Sequence, residues 1–278
     1  MRINHNIAAL NTYRQFNNAN NAQGKSMEKL SSGLRINSAA DDAAGLAISE
    51  KMRGQIRGLD QASRNTQDGV SLIQTAEGAL NETHDILQRM RELTVQAGND
   101  TNEPEDLQAI QDELSALVEE IGGETSSDGI SDRTQFNGKD LLTGNFATTG
   151  ITFQIGANAG QQIELKIADM SSSALGVNSI DVTSGFTFDS AVALIDSAIN
   201  AVSSQRSALG ATQNRLEHTI NNLSTESENL TASESRIRDV DMAKEMMEQT
   251  KNSILSQASQ AMLSQANQQP QSVLQLLR

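Results

Sequence analysis

The sequence contains no cysteine, no tryptophan and only two prolines, Pro104 and Pro270. The absence of cysteine excludes disulfides, thiolate metal ligands and thiol catalysis. Aromatic residues make up 3% of the chain, which disfavours a large globular core because such cores rely on aromatic side chains for buried area. The scarcity of proline permits long helices. These absences favour elongated helices that pack through alanine, leucine, isoleucine and valine.

Basic residues and long apolar runs are also scarce. The formal net charge is −14, and an acidic chain repels phosphate groups, which disfavours nucleic-acid and anionic-membrane partners. No apolar run reaches the roughly 18 residues that a membrane-spanning helix needs. Residues 1–10 lack the apolar segment of an ordinary secretory signal. We therefore expect neither membrane insertion nor a cleaved signal peptide.

A strict seven-residue apolar repeat runs from Ile195 to Ile237. Its members are all aliphatic: Ile195, Val202, Leu209, Leu216, Leu223, Leu230 and Ile237. Such a repeat keeps one side of a helix against a partner helix, because about 3.5 residues per turn is the period of a coiled coil. Lys244 breaks the series. The repeat predicts a long helix that packs against another rod.

A second heptad series lies in the first half of the chain: Met52, Leu59, Thr66, Ile73, Leu80, Leu87 and Thr94. As one helix, residues 52–97 would extend ~69 Å. Gly98 is expected to end this helix, and Pro104 to open a short helix over 104–121 with Thr101 or Asn102 as its cap. Ser38 or Asp41 is expected to cap the long helix. Short turns between helices predict antiparallel neighbours in an α-bundle.

The middle of the chain has a different hydrophobic pattern from the helical segments on either side. Apolar residues alternate in 151–155 and again in 163–167, which predicts a β-hairpin. A turn is expected at Phe136-Asn-Gly-Lys139, and the Ser-, Gly- and Asp-rich stretch 171–190 is expected to form an exposed loop.

Both ends of the chain carry apolar helical patterns with no globular core attached. Residues 1–34 predict a weakly amphipathic helix that forms only when packed, with a frayed terminus as the alternative. In the last helix, residues at one seam are Leu255, Ala258, Met262, Ala266, Val273 and Leu276, and Pro270 is expected to bend or interrupt it. Ends that meet only in an assembly suggest a head-to-tail open polymer. The expected inter-subunit contacts are Ile3, Ile7, Leu10, Leu255, Met262, Val273 and Leu276.

No catalytic or metal-binding constellation is found in the sequence. His5, His84 and His218 lack ligand spacing, so helix-surface histidines are the favoured interpretation. Neighbouring acids Asp41 and Asp42 are better explained by helix capping than by acid–base chemistry. Phosphate-binding and nucleophile-elbow motifs are missing. We expect no enzyme activity and no cofactor.

Several long motifs resemble those of bacterial flagellins. They are Lys29-Leu-Ser-Ser-Gly-Leu-Arg-Ile-Asn37, Asp41-Asp-Ala-Ala-Gly-Leu-Ala-Ile48, Gln88-Arg-Met-Arg-Glu-Leu93, Thr134-Gln-Phe-Asn-Gly138, Phe153-Gln-Ile-Gly-Ala-Asn158, Arg215-Leu-Glu-His-Thr-Ile220, Ala232-Ser-Glu-Ser-Arg-Ile-Arg-Asp-Val-Asp241 and Gln268-Gln-Pro-Gln-Ser-Val-Leu-Gln-Leu-Leu277. The resemblance covers about the first 165 and the last 85 residues. The middle is short, so the large outer domains of longer flagellins are expected to be missing.

This resemblance implies a subunit that self-assembles into the flagellar filament, the helical propeller of motility. The terminal helices would form the inner tube around the export channel, and export through that channel implies an extracellular location. Implied partners are further copies of the chain, an export chaperone on the C-terminal helix, and the filament cap and hook-junction proteins. A host flagellin-sensing Toll-like receptor would contact Arg89, Leu93 and Glu113, for which inter-helix salt bridging is the plainer role.

The predicted fold is mainly α, with long antiparallel helical rods in a coiled-coil-like bundle and a small β-hairpin region. The expected domains are a terminal-helix domain (1–42 plus 238–278) and a rod domain (43–237) with the β region at about 128–170. Two alternatives to the filament subunit stay open at this point. One is a hook–filament junction protein, and the other is a membrane-active translocator, which the Gln- and Ser-rich tail disfavours.

Overall fold

The computed structural model describes residues 6–122, 129–183 and 187–276, with the backbone alone for residues 269–276. The helices in these ranges are α1 (Ile7–Ser32), α2 (Ala43–Ala97), α3 (Pro104–Ile121), α4 (Ile130–Arg133), α5 (Ser172–Leu175), α6 (Phe188–Arg238) and α7 (Met242–Leu276). The strands are β1 (Gln135–Phe136), β2 (Lys139–Asp140), β3 (Ile151–Gln154) and β4 (Gln162–Leu165). The predicted fold, mainly α with a small β region in the middle, is confirmed.

Helix boundaries follow the predicted breakers, but the caps differ. Helix α2 ends at Ala97, directly before Gly98, and α3 begins at Pro104. The cap of α2 is Asp42, whose Oδ1 accepts a 2.8 Å hydrogen bond from Gly45 N, and neither Ser38 nor Asp41 takes this role.

The cap of α3 is Glu103, and the prediction of Thr101 or Asn102 was wrong. The amide of Glu103 donates to the Asp106 carboxylate at 3.2 Å. The carboxylate of Asp106 reaches this amide because Asp106 follows Glu103 by three residues.

The chain divides into two compact units, one of Met1–Ile56 with Glu228–Arg278 and the other of Arg57–Ser227. Helices α2 and α6 each contribute residues to both. The α1–α7 pair belongs to the first unit, while α3 and all four strands belong to the second.

The two heptad series form the core of the second unit. From Ile73 to Leu87 on α2 and from Ile195 to Leu216 on α6, every member is fully buried. The polar members are satisfied within α2, since Thr66 Oγ1 donates to Ala62 O at 2.7 Å and Thr94 Oγ1 donates to Met90 O at 2.8 Å. Helix α3 adds Ile110, Leu114 and Ile121 to the same core. The partner that the α6 series requires is thus α2.

Two short antiparallel hairpins supply the β region. Strands β3 and β4 pair with Phe153 opposite Ile163, as the alternation predicted. Strands β1 and β2 are joined by Asn137 and Gly138, both with positive φ, the geometry that two-residue hairpin loops favour.

The prediction of an exposed loop over 171–190 was wrong. Leu175, Val177, Ile180 and Val182 are buried in the core of the second unit, and Phe188 already begins α6. Gln111 on α3 holds this segment, because its Oε1 accepts from Val182 N at 2.8 Å and its Nε2 donates to Ile180 O at 3.2 Å. These four apolar residues pack the segment into the core, although most residues between them are polar.

Helix α7 continues through Pro270 to Leu276, so the expected interruption does not occur. Proline removes one backbone donor, and the residues on either side of Pro270 are nevertheless helical.

Candidate self-assembly surface

Helices α1 and α7 pack together along regular seams. A series of less exposed residues on α1 recurs every three or four positions, with Ala22 and Lys29 partly buried beside it: Ala9, Thr12, Phe16, Ala19, Gln23, Ser26 and Leu30. Those of α7 do the same: Glu245, Gln249, Asn252, Ser256, Ser259, Leu263 and Ala266. This spacing is the heptad spacing of paired helices. Most of these residues are small or polar, and the large apolar ones among them are Phe16, Leu30 and Leu263.

Asn6 connects the beginning of α1 to the far part of α7. Its Oδ1 accepts from Ala9 N at 3.0 Å, which caps α1, and its Nδ2 donates to Ala266 O at 2.7 Å. The sequence interpretation missed this residue. The signal was present, because an asparagine directly before an apolar helical run is a typical N-cap.

Most of the large apolar residues of the pair lie outside these seams. We define the outer face of the pair by its exposed large apolar residues: Ile7, Leu10, Tyr13, Met27, Met242, Met246, Met247, Ile254, Leu255 and Met262. On α7, these exposed apolar residues lie among polar ones on the sides that α1 does not cover. Exposed apolar patches of this kind mark protein–protein contact sites.

Four of the predicted contact residues lie on this outer face. Ile7 and Leu10 are 65% and 60% exposed, and Leu255 and Met262 are 46% and 58% exposed. Ile3 lies outside the described residues, as do the side chains of Val273 and Leu276. Ala266, which the sequence placed on the same seam as Leu255, is buried towards α1 instead.

The segments that link the terminal pair to α2 and α6 lie side by side. Arg35 N donates to Arg238 O at 2.7 Å, and Val240 N donates to Gly33 O at 3.1 Å. The Arg35 guanidinium also donates to Ile237 O at 2.5 Å. Arg238 pairs with Glu50 at 2.7 Å. These bonds join two connectors that are about 200 residues apart in the sequence.

Asp41 stabilises the first of these connectors. One oxygen, Oδ2, accepts from Ser38 N at 3.0 Å, from Asn37 N at 3.2 Å and from Ser38 Oγ at 3.1 Å. The backbone hydrogen bond from Ser38 is the main cause that lowers the pKa of Asp41, and the bond from Asn37 adds to it. Asp41 thus acts as the turn-forming acid that precedes Asp42, the helix cap.

On the second unit, Arg89 and Glu113 form an exposed ion pair between α2 and α3. Arg89 Nη2 lies 2.8 Å from Glu113 Oε1, and Nη1 lies 3.1 Å from Glu92 Oε2. Hydrogen bonding to Glu113 raises the pKa of Arg89. Leu93 is 2% exposed and lies in the core. Leu93 is therefore corrected from a surface contact to a packing residue, because its position on α2 is part of the buried stripe.

No catalytic or metal-binding arrangement is found among the described residues. They contain no cluster of three His, Cys, Asp or Glu residues that could hold a metal ion. His84 Nε2 lies 2.7 Å from the Gln88 side chain, on the surface of α2. In the described ranges, no helix is long and apolar enough to cross a membrane.

Two family models match most of the chain. Residues 3–147 match the bacterial flagellin N-terminal helical region, and residues 192–277 match the bacterial flagellin C-terminal helical region. The chain belongs to the bacterial flagellin family. The outer face of the α1–α7 pair therefore lies on the terminal regions that define flagellins.

Individual relatives agree with this membership. The chain is 63% identical to the flagellin of Bacillus subtilis and 60% identical to that of Halalkalibacterium halodurans, with all of both chains covered in each case. Among solved structures, it resembles the crystal structure of Bacillus cereus flagellin, with a TM-score of 0.50 and 32% identity over 62% of this chain and 94% of the other.

The chain is a structural subunit of the bacterial flagellar filament. Its similarity to other flagellins supports this function over a hook–filament junction protein or a membrane-active translocator. Flagellins are structural proteins, and their filaments are assemblies of their own copies. The filament is also where the chain is located.

Proposed function

We propose that the outer face of the α1–α7 pair carries the contacts between subunits in the filament. Ile7, Leu10, Leu255 and Met262 are the described members of the predicted contact set, with Ile3, Val273 and Leu276 as its further members. The observation that supports this proposal is their exposure in the single chain. Burying each such side chain contributes ~1.5–3 kcal/mol. A few contacts per subunit, repeated along the polymer, stabilise a long filament.

The terminal-helix domain, residues 1–42 with 238–278, forms the inner tube that lines the export channel. The rod domain, residues 43–237, forms the layer outside it. Supporting this division, the terminal pair has mostly small and polar residues inside and most of its large apolar residues outside, as expected for helices that are covered by neighbours. The packed core of the second unit is complete within one chain.

A charge placed on the outer face tests this assignment. Leu10→Asp or Met262→Asp should abolish polymerisation of the purified chain, because an unpaired carboxylate would be buried at every contact. The control is Asn221→Asp, which adds the same charge at an exposed position on α6. Filaments are measured by sedimentation and electron microscopy. Normal filaments from Leu10→Asp and Met262→Asp would contradict the assignment.

Before assembly, the apolar residues on the outer face of α7 must be buried by a partner other than a neighbouring subunit. An export chaperone that binds the C-terminal helix would bury Leu255, Met262 and their neighbours, and would release them at the growing end. The filament cap and the hook-junction proteins are the further partners at the two ends of the filament. Export to the extracellular space is part of this proposal. Co-purification of a helical chaperone with the wild-type chain but not with Met262→Asp tests the chaperone site.

A host flagellin-sensing Toll-like receptor is the proposed recognition partner of the Arg89–Glu113 surface. The guanidinium and both carboxylates are exposed, which supports direct contact, whereas Leu93 would act by holding α2 in place. The plainer role of Arg89 is to join α2 to α3. An Arg89→Ala variant should signal more weakly than wild type in receptor-bearing cells. Arg64→Ala, on the same helix, is the control, and an equal signal from Arg89→Ala would contradict receptor contact.

A further inference from the structure

Among the described residues, the methionines range from buried to exposed, and Met27 on α1 is one of the exposed ones. Met90 and Met170 are buried in the core of the second unit. By contrast, Met246 and Met247 are 59% and 67% exposed, and Met242 and Met262 are exposed as well. We call these four residues the α7 methionines. Three of them lie within six residues at the beginning of the helix.

The composition of the chain makes methionine its main target of oxidation. The chain has no cysteine, no tryptophan and a single tyrosine. Without thiols, methionine is the side chain that hydroperoxides and hypochlorous acid oxidise to a reversible product, the sulfoxide. Susceptibility follows exposure, so the α7 methionines should react before Met90 and Met170.

We propose that the α7 methionines are a redox modification site that controls whether a subunit enters the filament. The inference rests on the proposed role of the outer face in assembly. In the reaction, the thioether sulfur takes one oxygen atom from a hydroperoxide. The S–O bond forms as the O–O bond breaks, the sulfur is oxidised by two electrons, and the peroxide is reduced to water or an alcohol after proton transfer.

The effect of oxidation on assembly depends on the position of the sulfoxide. Each sulfoxide replaces an apolar sulfur with a polar S–O group on a surface that assembly buries. Met246 and Met247 lie outside the seam that faces α1, which runs through Glu245 and Gln249, so oxidation leaves the intrachain pair intact. Burial of an unpaired polar group should raise the critical concentration for polymerisation by on the order of tenfold for each sulfoxide. Subunits already in the filament are shielded from the oxidant.

The first arm of the test maps oxidation in the full-length chain. Free subunits and preformed filaments are exposed to hydrogen peroxide, and sulfoxide at each methionine is followed by peptide mass spectrometry. The expected order is α7 methionines before Met90 and Met170 in the free subunit, with the α7 methionines protected in the filament. Equal oxidation of the α7 methionines in subunit and filament would overturn the proposal.

The second arm measures assembly. A variant with Met27 and all four α7 methionines changed to leucine keeps apolar volume, so it should polymerise normally and keep polymerising after peroxide, because none of the methionines of the outer face is left to oxidise. Met52→Leu, at a half-buried position outside the outer face, is the matched control, and both it and Met27→Leu alone should lose assembly after peroxide as wild type does. Treatment with a methionine sulfoxide reductase should restore the oxidised wild type.

Two results separate this proposal from the assembly role on which it rests. If the five-leucine variant loses assembly after peroxide as fully as wild type, the modification site is wrong and the assembly role stands. If Met246→Gln, which places a polar group there without oxidant, polymerises as well as Met246→Leu, the assembly role of this part of the outer face is wrong.

Discussion

The side-chain amide of Asn6 donates a 2.7 Å hydrogen bond to the backbone carbonyl of Ala266, which lies 260 residues later in the chain. The same side chain caps α1 through Ala9 N. One residue therefore sets both where the first helix begins and how it lies against the last one. The terminal pair depends on such polar contacts because its seams contain few large apolar residues.

Asn6→Ala should loosen the terminal pair. Loss of an N-cap costs about 0.5–2 kcal/mol, and the bond to Ala266 is lost as well. Amide hydrogen exchange should become faster over the first turns of α1 and around Ala266. Asn18→Ala, at an exposed position inside α1, is the control and should not have this effect. Unchanged exchange in Asn6→Ala would show that the cap is dispensable.

Two glycines of α2 should respond in opposite ways to alanine. At Gly78 an added Cβ meets nothing within 4 Å, so Gly78→Ala should raise the free energy of unfolding by about 0.5–1 kcal/mol through lower backbone entropy in the unfolded chain. At Gly69 the Cβ would lie 3.2 Å from Phe153 and 3.3 Å from Leu216.

Gly69→Ala should therefore gain less stability than Gly78→Ala, or lose some, because Phe153 and Leu216 must shift. Urea unfolding of the full chain, monitored by circular dichroism, gives both values. A larger gain at Gly69 than at Gly78 would contradict the close packing of α2 against β3 and α6.

The contribution of Asp41 to the free energy of unfolding should fall at low pH. Hydrogen bonds lower the pKa of Asp41 in the folded chain, so the carboxylate stabilises the fold fully above the unfolded pKa of about 3.9. That stabilisation is lost as the pH falls through the lower pKa of the folded state. Asp41→Asn should remove this part of the pH dependence, and the unfolding free energies of the two proteins should converge at low pH. Parallel pH profiles for the two proteins would contradict the role of Asp41.

Polymerisation should depend on salt because charge is distributed unevenly. Residues 57–227 contain nine Lys or Arg and 25 Asp or Glu, whereas the rest of the chain contains 12 and 10. Neighbouring copies of the second unit thus repel each other, and the screening length shortens from about 30 Å at 0.01 M salt to about 8 Å at 0.15 M. The critical concentration should fall over this range.

A charge-reducing variant provides the control for this salt effect. Glu82→Gln with Glu119→Gln removes two exposed carboxylates and should make the critical concentration less sensitive to salt. An equal salt dependence in both proteins would assign the effect to other parts of the chain.

Local patterns predicted most of the fold. The heptad spacings predicted that α2 and α6 would be long and would bury their repeated positions, since a seven-residue period leaves one stripe facing a partner. Gly98 and Pro104 predicted a helix end and a helix start, because one disfavours continuing a helix and the other favours beginning it. Asn137-Gly138 predicted a tight turn for its tolerance of positive φ.

Positions that depend on a partner were harder to predict. The family resemblance implied that Leu93 contacts a receptor, yet Leu93 is buried because α2 exposes only part of each turn. The stretch from Leu175 to Val182 looked polar, yet α3 provides Gln111 for its backbone and a core for its apolar residues. Composition cannot show such neighbours, because they come from distant parts of the sequence.

The sequence by itself determined that both ends of the chain are helical and that their apolar residues must be buried against a partner. Only the tertiary structure decided which side of each terminal helix its own chain covers. Along α7, the side with Asn252, Ser256 and Ala266 faces α1, and the side with Leu255 and Met262 stays outside. The physical reason is that periodicity defines a face but not its partner. Small and polar residues suffice for the intrachain pair, which leaves the larger apolar ones for other copies of the subunit.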